Sequence, residues 1–289
     1  METRGVVKGL FFGKSVCSAR WNVSSNPRCI PGKNISRQRS SARSPSRILA
    51  TKVPINEVLL DPTWPDAFPM KPEDFEREDE TSDFGFYDSP RLVAHIDNGA
   101  IGALTEYYSK VLPPSGQSDV AILDLCSSWI SHYPDGYSAG RISGLGMNKE
   151  ELEKNPILTD FEIRDLNENP KLPYGDDTFD VITNTVSVDY LTDPLEIFRE
   201  MHRCLKPGGL AIVSFSNRFF RKKVIKKWMA SSHADRVYYV GCYFHYSVPG
   251  GYVDLKSEDI SPESRRFFVW LGLPQFANPM YVVSARKKS

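Results

Sequence analysis

The chain of 289 residues has a formal net charge of zero and the composition of a globular protein, so it can form one large or two small domains. No stretch approaches the roughly 20 apolar residues that cross a membrane as a helix, and the sequence predicts no transmembrane segment. Charge is uneven: residues 1–50 contain ten basic residues and one acid, whereas residues 51–289 contain 26 basic and 35 acidic residues. That acidic balance argues against nucleic acid as the main partner.

Residues 1–50 are basic, rich in serine and without a long apolar core, which is the composition of an organelle transit peptide rather than of a secretory signal. The alternative is a disordered basic arm that binds nucleic acid, but basic blocks interleaved with aromatic residues are absent. Serine enrichment favours the chloroplast stroma over the mitochondrion. Cys126, Cys204 and Cys242 have no metal-ligand spacing and no obvious pairing, so we expect a reducing compartment and no metal site.

Residues 51–112 are expected to wrap around the core before the first strand. Prolines and acids alternate with aromatic residues between Pro54 and Pro90, and a disordered linker would hold fewer aromatics. One or two helices are expected next, over Pro90–Asp97 and from Ala100 to Val111. Residues 113–289 then form the main domain.

Short apolar runs recur through this domain and predict the strands of a buried sheet. The runs are Val120–Leu125, Phe179–Thr183 and Leu210–Phe215. Further strands are expected over the more mixed segments Gly140–Leu145, Phe161–Asp165, Tyr252–Ser257 and Pro279–Ala285. The first run ends at Asp124-Leu125, as expected of a parallel strand whose carboxyl end opens a site. Strands alternating with helices in this way indicate an α/β fold.

One helix between the fourth and fifth strands is marked at both ends. Asp193-Pro-Leu-Glu196 supplies a capping acid, a proline in the first turn and a glutamate three residues on. Gly208-Gly209 follows the helix as a stop signal. Between these two ends, apolar residues recur at helical spacing: Leu195, Phe198, Met201 and Leu205.

The order of these elements, with Leu172-Pro-Tyr-Gly-Asp-Asp-Thr-Phe-Asp180 and Leu205-Lys-Pro-Gly-Gly209, resembles the class I S-adenosylmethionine (SAM)-dependent methyltransferases, in particular their small-molecule, type 11-like branch. The resemblance implies a Rossmann-like sheet of seven strands, mostly parallel with a reversed edge strand and helices on both faces. It also implies SAM as the cofactor and a small molecule as the substrate.

The loop after the first strand departs from that family. Asp124 occupies the acid that ends the strand, but Cys126, Ser128 and Ile130 stand where the family has three glycines. Those glycines permit positive φ and a close approach of the backbone to the cofactor. The thiol of Cys126 and the hydroxyl of Ser128 can contact a ligand instead, whereas β-branched Ile130 does not easily adopt positive φ.

Two further cofactor positions follow from the resemblance. The acid that binds the ribose hydroxyls falls at Gly146, and Asn148, two residues on, can donate to and accept from a hydroxyl. Alternatively, Asn148 caps the next helix together with Glu151. Asp165 matches the position that contacts the adenine amino group.

The resemblance places Asn184–Tyr190 against the substrate. The Asn/Asp-Pro-Pro-aromatic tetrapeptide of amino-methylating relatives is missing there, so we expect methylation of oxygen or carbon. Asp189 is a candidate general base and His132 an alternative. Tyr87, Arg91 and His95 are candidates for the cover over the site.

Asn217–Trp228 has the pattern of a basic amphipathic helix, which packs on the sheet or lies on an anionic membrane surface. The leading hypothesis is a chloroplast methyltransferase of a small molecule. Its rival is a catalytically inactive protein of the same fold that acts as a binding or assembly factor, because the glycines and the ribose acid are missing.

Overall fold

Seven strands form a single sheet in the structure, a computed structural model that describes residues 53–265, 271 and 277–289. In chain order they are β1 (Gln117–Leu125), β2 (Ala139–Gly146), β3 (Asp160–Ile163), β4 (Phe179–Thr185), β5 (Leu205–Phe215), β6 (Tyr252–Asp259) and β7 (Tyr281–Lys287). The predicted transit peptide, residues 1–50, lies outside the described residues.

Across the sheet the strand order is β3-β2-β1-β4-β5-β7-β6. The first five strands are parallel, and β7 runs antiparallel to both of its neighbours, β5 and β6. The predicted Rossmann-like sheet with a reversed strand is thereby confirmed; the reversed strand lies second from the edge, and β6 is outermost. Because Leu125 is level with Leu145 and Asn184, the carboxyl ends of β1, β2 and β4 meet at one edge.

Helices cover both faces of the sheet, as predicted. They are α1 (Asp83–Phe86), α2 (Asn98–Val111), α3 (Lys149–Glu153), α4 (Pro194–Cys204), α5 (Lys226–Met229) and α6 (His233–Ser247). Alternate residues of β1 point to opposite faces of the sheet. On one face Ile122 packs in the cluster that contains Tyr108 of α2. On the other face Leu123 packs in the cluster that contains Phe198 of α4 and Tyr243 of α6. Burial on both faces explains why the central strands β1, β4 and β5 contain continuous apolar runs.

The helix between β4 and β5 begins as the sequence predicts. The Asp193 side chain accepts a hydrogen bond from the backbone N–H of Glu196, and Pro194 is the first helical residue. The helix ends at Cys204, one residue earlier than its apolar spacing predicts, and Leu205 already belongs to β5. Gly208 adopts φ +76° near the start of that strand.

The N-terminal strap, residues 53–97, packs along α6 through aromatic contacts. Trp64 stacks on His245 with ring centroids 4.6 Å apart, and Phe68 lies 6.2 Å from Tyr243. A side chain at Gly241 would meet Leu59 of the strap at 2.6 Å. The strap therefore lies directly against the backbone of α6 and contributes to its packing.

Two predicted helices are wrong. Within Asn217–Trp228 only α5 is helical, and residues 90–97 are irregular. In the first segment, backbone groups pair with the strap instead: the N–H of Asp79 donates to the Lys222 carbonyl, and the N–H of Lys226 donates to the Glu76 carbonyl. Strand-like pairing with a distant segment therefore replaces the helix that the local pattern favours.

Candidate functional site

A cavity of about 590 Å³ opens at the edge where β1, β2 and β4 end. Six of the seven residues predicted for the site line it: Asp124, Cys126, Ser128, His132, Asn148 and Asp165. Asp189 does not line it. The strap closes one side of the cavity.

Asp124 shapes the loop that follows β1. Its carboxylate accepts hydrogen bonds from three hydroxyls, those of Ser127 (2.6 Å), Ser131 (2.7 Å) and Thr183 (3.1 Å). Burial raises the pKa of Asp124 to about 6 even though these bonds favour the charged form. The carboxylate thus anchors its own loop, although it was predicted as a cofactor contact.

Of the three positions where the family has glycine, one has a backbone in the left-handed region. Cys126 has φ +59°, whereas Ser128 and Ile130 do not have positive φ. A β-branched residue is therefore compatible with the third position. The backbone N–H of Ser127 donates to the Leu145 carbonyl at 2.7 Å, so the loop continues alongside β2.

This course of the loop explains the glycine at the end of β2. A Cβ atom on Gly146 would lie 2.2 Å from the carbonyl oxygen of Ser127 and 3.1 Å from a methyl carbon of Leu152. Real Cβ atoms do not approach backbone oxygens so closely. The position of the family's ribose acid is therefore closed to any side chain.

Asn148 connects α3 to the strap. Its Oδ1 accepts from the backbone N–H of Glu151, and its Nδ2 donates to the carbonyls of Tyr87 (2.9 Å) and Asp88 (3.1 Å). Asn148 therefore caps the helix as the alternative predicts, but Glu151 does not complete a reciprocal capping box. With both amide hydrogens engaged, the side chain holds the cover of the cavity in place.

Glu151 is a cavity residue that sequence reasoning treated only as a capping partner. Its carboxylate turns away from its own N-cap and accepts from the backbone N–H of Arg91 and from the hydroxyl of Ser128, each at 2.6 Å. The Asn-x-x-Glu pattern indicated the helix start, and no local signal indicated this outward turn. The two bonds join α3, the loop after β1 and the strap.

Asp165 lines the cavity and carries an unsatisfied buried acceptor. Its Oδ1 accepts from the backbone N–H of Asn167 at 2.8 Å, whereas its Oδ2 is buried and has no hydrogen-bond partner among the described residues. Burial raises the pKa of this carboxyl. A buried carboxylate oxygen without a donor suits a ligand that brings one.

Asp83 and Asn167 form the wall between the strap and the loop after β3, and sequence reasoning missed both. Asn167 Nδ2 donates to Asp83 (2.9 Å) and to the Tyr190 carbonyl (3.0 Å). Asp83 also accepts two bonds from Arg77 and lies 3.1 Å from Lys223 Nζ. Four separate parts of the sequence meet here, which no sequence spacing could indicate.

The cover of the cavity is largely aromatic. The guanidinium of Arg91 lies 4.1 Å from the ring centroid of Phe86 and 4.9 Å from that of Phe220, and His95 packs edge-on against Phe220. Arg91 and His95 line the cavity together with Tyr87, as the sequence suggested, but from irregular chain rather than from a helix.

His132 and Asp189 have different positions relative to this cavity. His132 lines it, is mostly buried, and its Nδ1 has no partner in the described chain. Burial, assisted by the nearby His95, lowers the pKa of His132 to about 4. Asp189 lies in the turn Val188–Tyr190 with only 2% of its surface exposed, beneath the cavity wall. Asp189 is therefore not among the residues that line the cavity, and its role as a base stays a prediction.

Asp189 also leads to a stability prediction. Burial raises its pKa to about 7, so this carboxyl stabilises the fold most when it is protonated, and that contribution is lost as pH rises from about 4 towards 7. Asp189→Asn should therefore gain stability relative to wild type as pH rises, by up to about 1 kcal/mol per pH unit. Urea unfolding from pH 4.5 to 8 measures the difference; Asp124 titrates in both proteins and cancels. Parallel pH curves would contradict the prediction.

The described residues contain no group of three or more His, Cys, Asp or Glu side chains arranged to hold a metal ion. None of the helices in the same part of the chain has the length and apolar character needed to cross a membrane.

Comparison with known proteins matches residues 101–213, from α2 into β5, to the family described as "Methyltransferase domain". A "Ubiquinone/menaquinone biosynthesis C-methyltransferase UbiE" from Cronobacter sakazakii is 31% identical over 123 residues, which cover 42% of this chain and 42% of that protein. A "Malonyl-[acyl-carrier protein] O-methyltransferase" from Marinomonas is 25% identical over 68 residues, 24% of this chain and 25% of that protein. The chain thus spans less than half the length of these curated relatives.

Among solved structures, a SAM-dependent methyltransferase from Mesorhizobium loti is 19% identical with a TM-score of 0.44, covering 64% of this chain and 98% of that one. A methyltransferase in complex with the Trm112 activator of Haloferax volcanii is 17% identical with a TM-score of 0.46 and covers 66% of this chain and 90% of that one.

Proposed function

We propose that this chain, whose residues 101–213 belong to the methyltransferase domain family, is a SAM-dependent enzyme that methylates a small molecule on carbon or oxygen. The cavity at the strand ends carries the proposal. Its volume of about 590 Å³ lies in the range of small-molecule sites, and Asp165, one of its lining residues, has a carboxylate oxygen without a hydrogen-bond partner among the described residues. Ligands of open α/β sheets bind at this edge.

The residues of the cavity fit the cofactor. Asp165 Oδ2 offers an acceptor for the adenine amino group, and the left-handed Cys126 supplies the backbone turn that the first glycine provides in relatives. Arg91 offers a cation for the ligand's carboxylate. The glycine at position 146 removes the ribose contact of the family's acid, but it allows the loop after β1 to stay against β2. The cavity is therefore changed in shape rather than lost.

Bound SAM would supply a methyl group on a sulfonium, which is already an activated leaving group. The chain then has to align the acceptor, exclude water and take up a proton. Three aromatic side chains, Tyr87, Trp129 and Phe220, add apolar surface to the cavity. Burial lowers the pKa of His132 to about 4, so this lining imidazole is neutral at neutral pH, and it is the proposed acceptor of the proton.

Two observations support oxygen or carbon as the methyl acceptor. The amine-holding tetrapeptide is absent from residues 184–190. The names of the relatives from Cronobacter and Marinomonas specify C- and O-methylation. A small apolar molecule with an acidic O–H or C–H bond is therefore the proposed substrate, and the basic, serine-rich residues 1–50 support a location in the chloroplast.

Two observations favour the alternative, a protein of this fold that binds without catalysing. The carboxylate of Asp124 is engaged by three hydroxyls, and the Ser127 carbonyl closes the ribose position at Gly146. If that loop blocks the cofactor, the protein folds but binds neither SAM nor its demethylated product.

Calorimetric titration of the full chain with SAM and with S-adenosylhomocysteine tests the proposal. We expect binding at micromolar affinity and a loss of about tenfold to a hundredfold in Asp165→Asn, because the amide places a donor where the ligand's amino group needs an acceptor. Glu162→Gln, a charge change at an exposed position of β3, is the matched control and should bind as wild type does. A folded wild-type protein that binds neither ligand would establish the non-catalytic alternative.

A further inference from the structure

Four carboxylates of the described chain line the cavity, and two of them, Asp83 and Asp124, are already engaged by three or more protein groups. Asp83 is bonded by Arg77 and Asn167 and faces Lys223, and Asp124 is bonded by three hydroxyls. Asp165 retains its Oδ2. Glu151 retains acceptor capacity on both oxygens, because Oε1 and Oε2 each accept a single hydrogen bond and a carboxylate oxygen can accept two.

The buried position of Glu151 favours additional hydrogen-bond donors to its carboxylate. The residue is only 7% exposed, and the partners that the described chain bonds to its carboxylate are neutral, a backbone N–H and a hydroxyl. A buried carboxylate is costly unless hydrogen bonds satisfy it. The cap by Asn148 at Glu151 N and the two bonds to its oxygens also fix the side chain, so that its remaining lone pairs are held in a defined direction.

The shape of the nearby backbone leaves this carboxylate as the available acceptor at the β2 side of the cavity. At Gly146 any side chain would collide with Ser127, and the amide of Asn148 is engaged by the strap. Two oxygens of one carboxylate match a pair of neighbouring hydroxyls, each of which donates one bond. The ribose of an adenosyl ligand carries such a pair.

We propose that Glu151 binds the two ribose hydroxyls of the cofactor, from the first turn of α3 rather than from the end of β2. The inference rests on the proposed function, since it assigns a residue to the same ligand. The same carboxylate accepts a hydrogen bond from Arg91 N and so holds the strap. Binding of the ribose is therefore coupled to the position of the strap. Glu151 is thus a cofactor-binding residue and a positioning residue for the strap.

The test compares two ligands on the full chain by calorimetry: S-adenosylhomocysteine and its 2′,3′-dideoxy analogue. Wild type should bind the analogue about tenfold to a hundredfold more weakly. Glu151→Gln should weaken S-adenosylhomocysteine by about tenfold or more and leave the analogue within about threefold, so the preference for the hydroxyls shrinks. Glu150→Gln, at an exposed position of the same helix turn, should keep the wild-type preference.

Four outcomes would overturn the inference. Equal weakening of both ligands in Glu151→Gln would mean that the residue acts only by holding the strap. Unchanged binding of both would mean that it does not contact the ribose. A wild type that binds both ligands equally would overturn the inference about Glu151 and leave the proposed function standing. A wild type that binds neither ligand would overturn the inference and the proposed function together. If thermal unfolding shows that Glu151→Gln does not fold, Glu151→Asp, which withdraws the charge by one methylene, gives the same comparison.

Discussion

Gly146→Asp, which introduces the acid that methyltransferases carry at the end of β2, is expected to destabilise this protein rather than restore a ribose contact. The new Cβ would lie 2.2 Å from the Ser127 carbonyl oxygen, which belongs to the backbone and is held by the bond from Ser127 N to Leu145. Relief requires moving the whole loop after β1. We expect a loss of about 3 kcal/mol or more in the free energy of unfolding.

Urea unfolding of Gly146→Asp and Gly146→Ala measures this loss, and the alanine variant separates the collision from the added charge. Gly102→Ala is the matched control: Gly102 is exposed within α2, and a Cβ there meets nothing within 4 Å. That substitution should stabilise by about 0.5–1 kcal/mol through helix propensity. Wild-type stability in Gly146→Ala would show that the loop has room to move, and that the acid can be accommodated.

Asp83→Ala should be the second strongly destabilising change. Asp83 is the shared partner of Arg77 and Lys223, and Lys223 is only 1% exposed. Removing the carboxylate leaves both buried cations without their main counter-charge, which costs about 3–5 kcal/mol. The strap should then detach from the loop after β3, because Asn167 loses its bond to Asp83 as well.

Thermal or urea unfolding gives the total loss for Asp83→Ala, and limited proteolysis between residues 76 and 95 reports release of the strap. The control is Glu78→Ala, which removes an ion pair with Arg221 on the same strap. Both of its side chains are substantially exposed, so a loss of at most about 1 kcal/mol is expected. Equal losses in the two variants would mean that the buried network contributes no more than a surface pair.

The sheet was predictable because its signals are local. The central strands β1, β4 and β5 contain apolar runs buried on both faces, and Asp193 with Pro194 begins α4 through contacts within four residues. The helix predicted over residues 217–228 failed for the opposite reason. Its periodicity is real, but the strap supplies backbone partners to Lys222 and Lys226 from more than 140 residues away.

The site was predictable in its location and less so in its chemistry. The rule that ligands gather at the carboxyl ends of parallel strands predicted where the site lies, and six of the seven predicted residues line one cavity there. It could not show that Asp124 bonds its own loop, or that a turn buries Asp189 with its carbonyl bonded to Ile225. Whether a polar residue faces a ligand or its neighbours is decided by tertiary contacts that no spacing records.

The pairing of the strap with residues 222–226 also sets an order of events during synthesis. The strap leaves the ribosome first, but its partners emerge about 140 residues later, which at 5–20 residues per second is a delay of roughly 7–28 s. Throughout that interval Trp64 and Phe68 have no α6 on which to pack. The nascent chain therefore exposes aromatic surface until its C-terminal third is made, which gives chaperones a binding target and makes completion of the fold a late, long-range step.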